Sequence, residues 1–287
     1  MSTALLASIA FAPDATHQER RSRDCQPAGR IAPLPQLPEA SGLAVSRSVP
    51  GRLWAHNDSG PVLFALDTRG TLTGRFALSD VKLDDWEAIA VGPCPDGSCV
   101  YVADIGDNNA NRKRITIYRF PEPSGSEGSV TVKDAFHATY PDGPQDAEAF
   151  FVMPDGGLFI VTKGETGAVT MYRFPRELKS GATHQLERVG KPRGSAKLPQ
   201  NERITDGAAS ANGESIVLRT SDTLTFHRSA DLLAGNWTAT MTVDLKPIRE
   251  PQGEGVAVGA DGTVYLVGEG AAAGSFARLT CTVSARM

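Results

Sequence analysis

The feature that most constrains the fold is a short pattern that recurs along the chain. Each copy has an acidic or small residue, an apolar run, a turn containing Gly, a second apolar run and a closing polar residue. Clear copies begin at Asp85, Asp146, Thr205 and Gln252, and a weaker copy begins at Ala40. The copies start roughly 45 to 60 residues apart, the spacing of one four-stranded β-propeller blade. The pattern therefore predicts an all-β chain built from repeated blades.

The strands of each blade follow from the alternation of apolar and polar residues. Each copy supplies the first two strands, and the alternation predicts a third directly afterwards. Third strands are predicted at residues 62–66, 115–120, 169–174, 224–227 and 276–281. Fourth strands are predicted at residues 72–78, 135–140, 185–189 and 239–245. The last copy ends after its third strand, so its fourth strand has to come from elsewhere in the chain.

We expect the N-terminal segment 30–34 to supply that strand and close the ring, which removes open sheet edges. The fold is interpreted as a single propeller over residues 25–287, with five four-stranded blades. A sixth blade is the alternative if residues 180–197, interpreted here as an excursion of the third blade, contain degenerate strands. A parallel α/β fold is disfavoured because no stretch keeps a 3.6-residue periodicity.

The N-terminal segment and the four cysteines give information on the cellular location of the protein. Residues 4–12 are apolar like the core of a secretory signal, although a frayed tail or a misassigned start would give the same pattern, and residues 1–24 are expected outside the fold. Cys94 and Cys99 bracket a Pro-Asp-Gly-Ser turn and are predicted to pair across a hairpin, which leaves Cys25 to pair with Cys281. Four free thiols are the alternative. Disulfides favour a secreted or cell-envelope protein.

The net charge of −4 argues against a nucleic-acid partner, and the longest apolar run is about half of what a membrane-spanning helix needs. We expect a monomer. The usual signatures of serine hydrolases, zinc proteases and nucleotide-binding proteins do not occur in the sequence.

The repeat places two polar positions per blade on one axial face, because the innermost strand begins where the antiparallel second strand ends. The first set is Ser41, Glu87, Glu148, Asp206 and Glu254. The second set is Asn57, Asp104, Lys163, Thr220 and Glu269, with Asp58, Asp107, Glu165, Arg219 and Asp222 close by. Most of these positions are carboxylates, and their mutual repulsion requires cations or protons to offset it.

Calcium is the simplest cation to offset this charge, because it binds carboxylate and carbonyl oxygens. The predicted calcium ligands are Asp58, Glu87, Asp104, Asp107, Glu148, Asp206, Glu254 and Glu269. The predicted catalytic residues are Glu87, Glu148, His56, Lys163 and Arg219, with His56 as a general base or a ligand. Two alternatives stay open: the acids are structural hydrogen-bond acceptors, and His56 is a strand residue satisfied by hydrogen bonds.

Several sequence runs resemble a bacterial family of exported β-propellers, common in actinobacteria, akin to proteins labelled "esterase-like activity of phytase". The resemblance covers about residues 30–280 and implies a propeller with a polar face; the phytase label would imply calcium-assisted hydrolysis of phosphate esters. This sequence has Ala88 where the family is expected to carry an acid. The runs are LPEASGLAVS at Leu37, LWAHNDSG at Leu53, DWEAIAVGP at Asp85, YVADIGDNNANR at Tyr101, ITIYRFPEP at Ile115, DAEAF at Asp146 and QGEGVAVGADG at Gln252.

Two functions therefore compete. The first is a hydrolase of carboxylic or phosphoric esters that uses a divalent cation on the acidic axial face. The second is a module that binds a small molecule, glycan or peptide on the same face without turnover. A structural envelope protein or a specialised biosynthetic catalyst is a further alternative.

Overall fold

The five copies of the repeat form the two inner strands of five blades in the computed structural model, which describes residues 25–281. Two short strands precede the blades: β1 (Cys25–Pro27) and β2 (Ala32–Leu34). Blade one is β3 (Ala40–Val45), β4 (Arg52–Asn57), β5 (Val62–Asp67) and β6 (Leu72–Ser79). Blade two is β7 (Trp86–Cys94), β8 (Gly97–Asp104), β9 (Ile115–Pro121) and, after β10 (Glu127–Thr131), β11 (Asp134–Thr139).

The remaining blades follow the same order. Blade three is β12 (Ala147–Val152), β13 (Leu158–Thr162), β14 (Val169–Arg173) and, after β15 (Thr183–Gln185), β16 (Glu187–Arg193). Blade four is β17 (Ile204–Ala209), β18 (Ser215–Thr220), β19 (Thr223–Arg228) and β20 (Met241–Asp244). Blade five is β21 (Gln252–Val258), β22 (Thr263–Glu269) and β23 (Gly274–Cys281). The helical elements within 25–281 are one short helix, α1 (Ser229–Leu233), and 3₁₀ turns at Gln200–Glu202 and Lys246–Ile248.

The glycine of the repeat has one structural role in every blade. It lies in the turn between the innermost and second strands, where the chain reverses with a positive φ that a residue with a Cβ rarely adopts. The glycines at this position are Gly51, Gly97, Gly156, Gly213 and Gly262, with φ of 76°, 102°, 82°, 74° and 82°. This shared turn explains why the repeat can be recognised in the sequence.

The N-terminal segment closes the ring. Strands β1 and β2 both pair antiparallel with β23, so blade five gains its outer strand from the start of the described chain. Cys25 lies opposite Cys281 in this pairing, and the two form a disulfide. Cys94 and Cys99 form the second disulfide, and both predicted pairings are confirmed. Two disulfides indicate an oxidising compartment, extracellular or periplasmic.

The segment 180–197 does not form a sixth blade. It contains β15 and β16, and β16 is the fourth strand of blade three. Strand β15 instead pairs parallel with β11 of blade two, and β10 pairs parallel with β6 of blade one. Each excursion thus covers the outer edge of the preceding blade, which leaves fewer unpaired strand edges. The five-blade prediction is confirmed, with a fifth strand in blades one and two.

The core lies between the facing sides of neighbouring blades. Trp54 of blade one and Trp86 of blade two are fully buried in one such layer. The innermost strands β3, β7, β12, β17 and β21 lie side by side around the axis, and each is at the end of its sheet order. Every blade therefore presents the start of one strand to one axial opening and its end to the other. Among residues 25–281, no helix is long and apolar enough to cross a membrane.

Candidate active site at the axial opening

A change of strand register marks the start of every innermost strand. In all five blades the pairing with the second strand shifts there by at least one residue. Such a bulge increases the local twist and redirects a side chain. The shifts fall at or beside the acidic or small residue that opens the repeat. The sequence pattern therefore marks the places where the fold can turn a side chain toward the axis.

Three glutamates, Glu87, Glu148 and Glu254, occupy these places in blades two, three and five, and all three are buried. Burial raises the pKa of Glu87 well above its usual value, and the Glu148 charge adds to this effect. Burial likewise raises the pKa of Glu148 to about 8, although the Lys163 charge lowers it. Burial raises the pKa of Glu254 to about 7, although the hydrogen bond from Gln252 lowers it. The Glu254 charge also contributes at both other glutamates, so the three interact across the axis.

Lys163 is the cation at this opening. It directly follows β13, and its Nζ contacts Glu148 Oε1 and donates to Asn108 Oδ1 at 3.4 Å. Asp146 Oδ2 and Glu165 Oε2 lie 3.9 and 3.7 Å from the same nitrogen. Burial opposes the charged ammonium, but the surrounding carboxylates outweigh it and raise the pKa of Lys163. We call Glu87, Glu148, Lys163 and Glu254 the axial cluster.

Further carboxylates surround the cluster on blades one and five. Gln252 Nε2 donates to Glu254 Oε1 at 2.7 Å and to Glu269 Oε2 at 2.9 Å, which ties Glu269 to the cluster. Burial raises the pKa of Glu269, and the Glu39 charge adds to it. Burial and the hydrogen bond with Glu39 raise the pKa of Asp58 to about 6. The predicted placement of Asp58 and Glu269 on this face agrees with these interactions.

The residues Asp104 and Asp107 build the loop beside the cluster. Asp104 Oδ1 accepts from the backbone N–H groups of Asp84 and Asp85, at 3.2 and 2.8 Å, and both its oxygens accept from Arg112. The Asp107 oxygens accept the backbone N–H groups of Asn111 and Arg112, at 2.9 and 2.7 Å. Both carboxylates are therefore occupied as acceptors, in line with the structural alternative.

The same loop brings backbone against Glu87. A Cβ at Gly106 would lie 2.5 Å from Asp85 Oδ2 and 2.6 Å from Glu87 Oε1, so a larger residue there would displace both carboxyl groups. On the other side of Glu87, the Ser41 hydroxyl donates to the Glu87 backbone carbonyl at 2.9 Å and approaches Glu87 Oε2 at 3.4 Å. Loop and hydroxyl together fix the position of the Glu87 carboxyl group.

Two predicted site residues lie inside the protein instead. Arg219 has no exposed surface; its Nη1 donates to the carbonyls of Gly255 and Val267 at 2.5 and 2.9 Å, and its Nη2 donates to Glu250 Oε2 at 2.5 Å. The fully buried Asp206 accepts the backbone N–H groups of Gly207 and Val256, both at 2.7 Å. Arg219 and Asp206 join blade four to blade five, and this placement gives no support to their predicted roles as a catalytic residue and a ligand.

His56 is also removed from the opening. Its ring is fully buried 4.2 Å from the Trp86 ring, and its Nδ1 lies 2.8 Å from the Asn57 carbonyl. Burial lowers the pKa of His56 to about 4, so the ring is neutral at physiological pH. A Cβ at Gly42 would lie 2.4 Å from Nε2, which shows how tightly the ring is enclosed. The structure favours a packing role over that of a general base or ligand.

The predicted calcium ligands are not grouped as a metal site. Within residues 25–281, no cluster of three or more His, Cys, Asp or Glu side chains is spaced to hold a metal ion. The oxygens of Asp104, Asp107 and Asp206 accept protein hydrogen bonds, and an ammonium contacts Glu148. The lysine supplies a positive charge at the place where calcium was expected.

No family model matches the chain, and no curated protein matches it. Among solved structures, the PQQ-bound form of an aldose sugar dehydrogenase from Streptomyces coelicolor is similar, with 14% identity over 89% of this chain and 97% of that one, and a TM-score of 0.51. A luciferin-regenerating enzyme has 10% identity over 90% and 96% of the two chains and a TM-score of 0.49. A gluconolactonase from Xanthomonas campestris has 12% identity over 84% and 72%, with a TM-score of 0.45. At these identities the likeness shows the fold alone.

Sequence reasoning missed the residues that organise the site. Arg112 holds Asp104, and Gln252 joins Glu254 to Glu269. Gln252 could have been found, because it opens the fifth copy of the repeat two residues before the glutamate. Arg112 lies in a loop with no repeat equivalent, so the sequence carries no signal for its role.

Proposed function

We propose that the axial cluster is the acid–base centre of a hydrolase that cleaves carboxylic esters, and that the protein works outside the cytoplasm, secreted or at the cell envelope. The observation that carries the proposal is the convergence of buried glutamates from three blades, together with Lys163 of blade three, on one axial face. A carboxyl group whose pKa is near the working pH is an effective proton carrier. Burial raises the pKa of Glu148 to about 8 and that of Glu254 to about 7, and it raises the pKa of Glu87 well above its usual value.

The cluster can supply each group that ester hydrolysis needs. Glu254, with a pKa of about 7, takes a proton from the attacking water. The water oxygen bonds to the ester carbon, and the Lys163 ammonium, held by Glu148, stabilises the negative charge on the carbonyl oxygen. The bond to the leaving oxygen then breaks, and Glu87 gives its proton to the departing alcohol. The products are a carboxylic acid and an alcohol, and the proton that Glu254 took passes through water to Glu87, which restores both groups.

The negative charge of the axial face limits which esters can be substrates. Besides the cluster, Glu39, Asp58, Asp85, Glu165 and Glu269 contribute negative charge to the interactions at the opening. The cations beside these acids, Lys163, Arg112 and Arg203, each already contact a carboxylate. A phosphate ester would bring further negative charge to this face, so neutral or cationic carboxylic esters fit better. This departs from the phosphate-ester hydrolysis that the family resemblance implies.

Steady-state hydrolysis of p-nitrophenyl acetate and p-nitrophenyl phosphate tests the proposal on wild type, Glu87→Gln, Lys163→Met and Glu254→Gln. We expect acetate to be the substrate, and each substitution to lower kcat/KM by about 100-fold or more, the usual range for losing an acid–base or oxyanion group. Glu187→Gln, on the outer strand of blade three, is the matched control and should keep wild-type activity.

The pH dependence of kcat/KM is a second test of the proposal. The proposed roles require an ionised Glu254 and a protonated Glu87, so kcat/KM should rise as Glu254 loses its proton near pH 7 and fall where Glu87 ionises, which gives a bell-shaped profile. Activity that disappears with a chelator and returns with calcium would replace the lysine mechanism by the predicted calcium one. Ligand binding on this face without any turnover would instead support the non-catalytic module.

A further inference from the structure

The end of the axis opposite the axial cluster has an apolar cavity. It has a volume of about 420 Å³ and is lined by the later residues of all five innermost strands. This size lies within the roughly 300–1,000 Å³ of small-molecule sites. Its wall is formed mainly by small and apolar side chains, one from each blade being Ala44, Ala90, Val152, Ala208 and Ala257.

Arg47 is the one charged residue among those lining this cavity within the described chain. It is exposed at the rim, directly after the last strand residue and Ser46 of blade one. Within residues 25–281 its guanidinium forms no ion pair and donates no hydrogen bond, although partial burial lowers its pKa and the Glu122 charge acts on it. Its backbone N–H donates to Glu122 Oε2 at 3.3 Å.

Glu122 does not compete for the guanidinium by direct contact. Its carboxylate already accepts from Ser48 N at 3.1 Å, from Trp54 Nε1 at 2.8 Å and from Ser98 Oγ at 2.8 Å. These bonds hold the segment that carries Arg47 against blade two. The cation is therefore fixed by its backbone while its side chain stays available at the mouth of an apolar cavity.

We propose that this cavity binds a small anionic amphiphile, with an apolar chain inside the cavity and a carboxylate paired with Arg47 at the rim. Burial of the chain against alanine and valine side chains supplies the affinity. The charge-assisted hydrogen bonds from a guanidinium to a carboxylate orient the ligand and exclude cationic amphiphiles. The site is separate from the axial cluster, which lies at the other ends of the same strands.

Isothermal titration calorimetry of the full chain with decanoate, kept below its micellar concentration, tests the proposal. We expect saturable binding of one decanoate, at least tenfold weaker binding of 1-decanol, and none of decylammonium or acetate. Arg47→Gln should weaken decanoate binding about tenfold or more. Arg114→Gln is the matched control, because Arg114 is exposed without an ion pair in the described chain, and it should bind normally.

Two substitutions test the cavity itself. Ala208→Phe fills it and should abolish binding. Because a phenyl ring in the wall could also prevent folding, Ala211→Trp, at an exposed position of the rim, is the second variant and should block entry in a protein that melts like wild type. Absence of decanoate binding to wild type, or unchanged affinity in Arg47→Gln or folded Ala211→Trp, would overturn the proposal. Glu87→Gln should bind decanoate like wild type, so the outcome is independent of the proposed hydrolase.

Discussion

Lys163 and Arg219 occupy different positions of the repeat, and this difference gives them opposite roles. Lys163 is the first residue after the second strand of blade three, whereas Arg219 is the next-to-last residue of the second strand of blade four, where it is paired with Asp206. Side chains within a paired strand point alternately to its two faces, and a residue beyond the strand end is not bound by that alternation. Lys163 reaches the axial opening, whereas Arg219 is sealed between blades four and five. Proximity in sequence is thus a poor guide to shared function.

The residue in the bulge at each strand start teaches the same lesson. Glu87, Glu148 and Glu254 lie in these bulges and interact with one another across the axis, whereas blade four has Thr205 there and Asp206 is the next residue, paired with Arg219. Its carboxylate instead accepts two backbone N–H groups, one of them from blade five. In blade four, Asp206 and Arg219 therefore belong to the interface with blade five. In blade three, Glu148 and Lys163 belong to the axial cluster.

The largest expected effect comes from replacing the two cations by methionine. Arg219→Met leaves the buried Glu250 carboxylate without its ion pair and two carbonyls without donors, so we expect a loss of about 3–5 kcal/mol in the free energy of unfolding. Lys163→Met leaves carboxyl groups that can hold protons near neutral pH, and should cost less than about 1 kcal/mol at pH 6. Urea denaturation monitored by tryptophan fluorescence measures both values. Equal losses of stability in the two variants would refute the assignment of Arg219 to the blade interface and Lys163 to the axial cluster.

A smaller difference in the free energy of unfolding is expected between variants of Asp206 and Glu87. Asn at position 206 keeps one acceptor and places an NH₂ group against the other backbone N–H, so Asp206→Asn should cost about 1–3 kcal/mol. Glu87→Gln resembles the protonated glutamate already favoured there and should change stability by less than about 1 kcal/mol. The same denaturation experiment compares them. A Glu87→Gln variant as unstable as Asp206→Asn would show that Glu87 is a structural acceptor.

The sequence was sufficient to predict the architecture because the repeat encodes it directly. Alternating apolar runs and a glycine at each inner turn defined the blades, and the missing last strand pointed to closure by the N-terminus. Strands β10 and β15 could not be predicted in the same way. Their residues are almost entirely polar and exposed, and their pairing is parallel, with the preceding blade. Tertiary contact alone makes them strands.

The site was predicted only in part, for a related reason. The sequence pattern identified the face, and Glu87, Glu148, Lys163 and Glu254 lie there together. It did not separate these side chains from Asp206, Arg219 and His56, because the register at the strand start decides which way each one points. Such differences depend on the bulge at each strand start, and the bulge is set by packing between blades.

The last expected effect is a pH-dependent change in stability carried by Glu254 of the axial cluster. Burial raises the pKa of Glu254 from its ordinary 4.5 to about 7, so the folded state binds more protons than the unfolded state between these pH values. The stability linked to this proton is fully present below pH 4.5 and is lost as the pH rises through 7. Gln at position 254 does not titrate, so the variant should gain about 1 kcal/mol of stability relative to wild type for each pH unit between pH 5 and pH 7. Glu187→Gln, at an exposed ion pair on blade three, is the control and should show a constant difference. Thermal and urea unfolding at pH 5, 6, 7 and 8 provide the measurement, and a difference between Glu254→Gln and wild type that does not change with pH would show that Glu254 is ionised throughout and is no proton carrier at neutral pH.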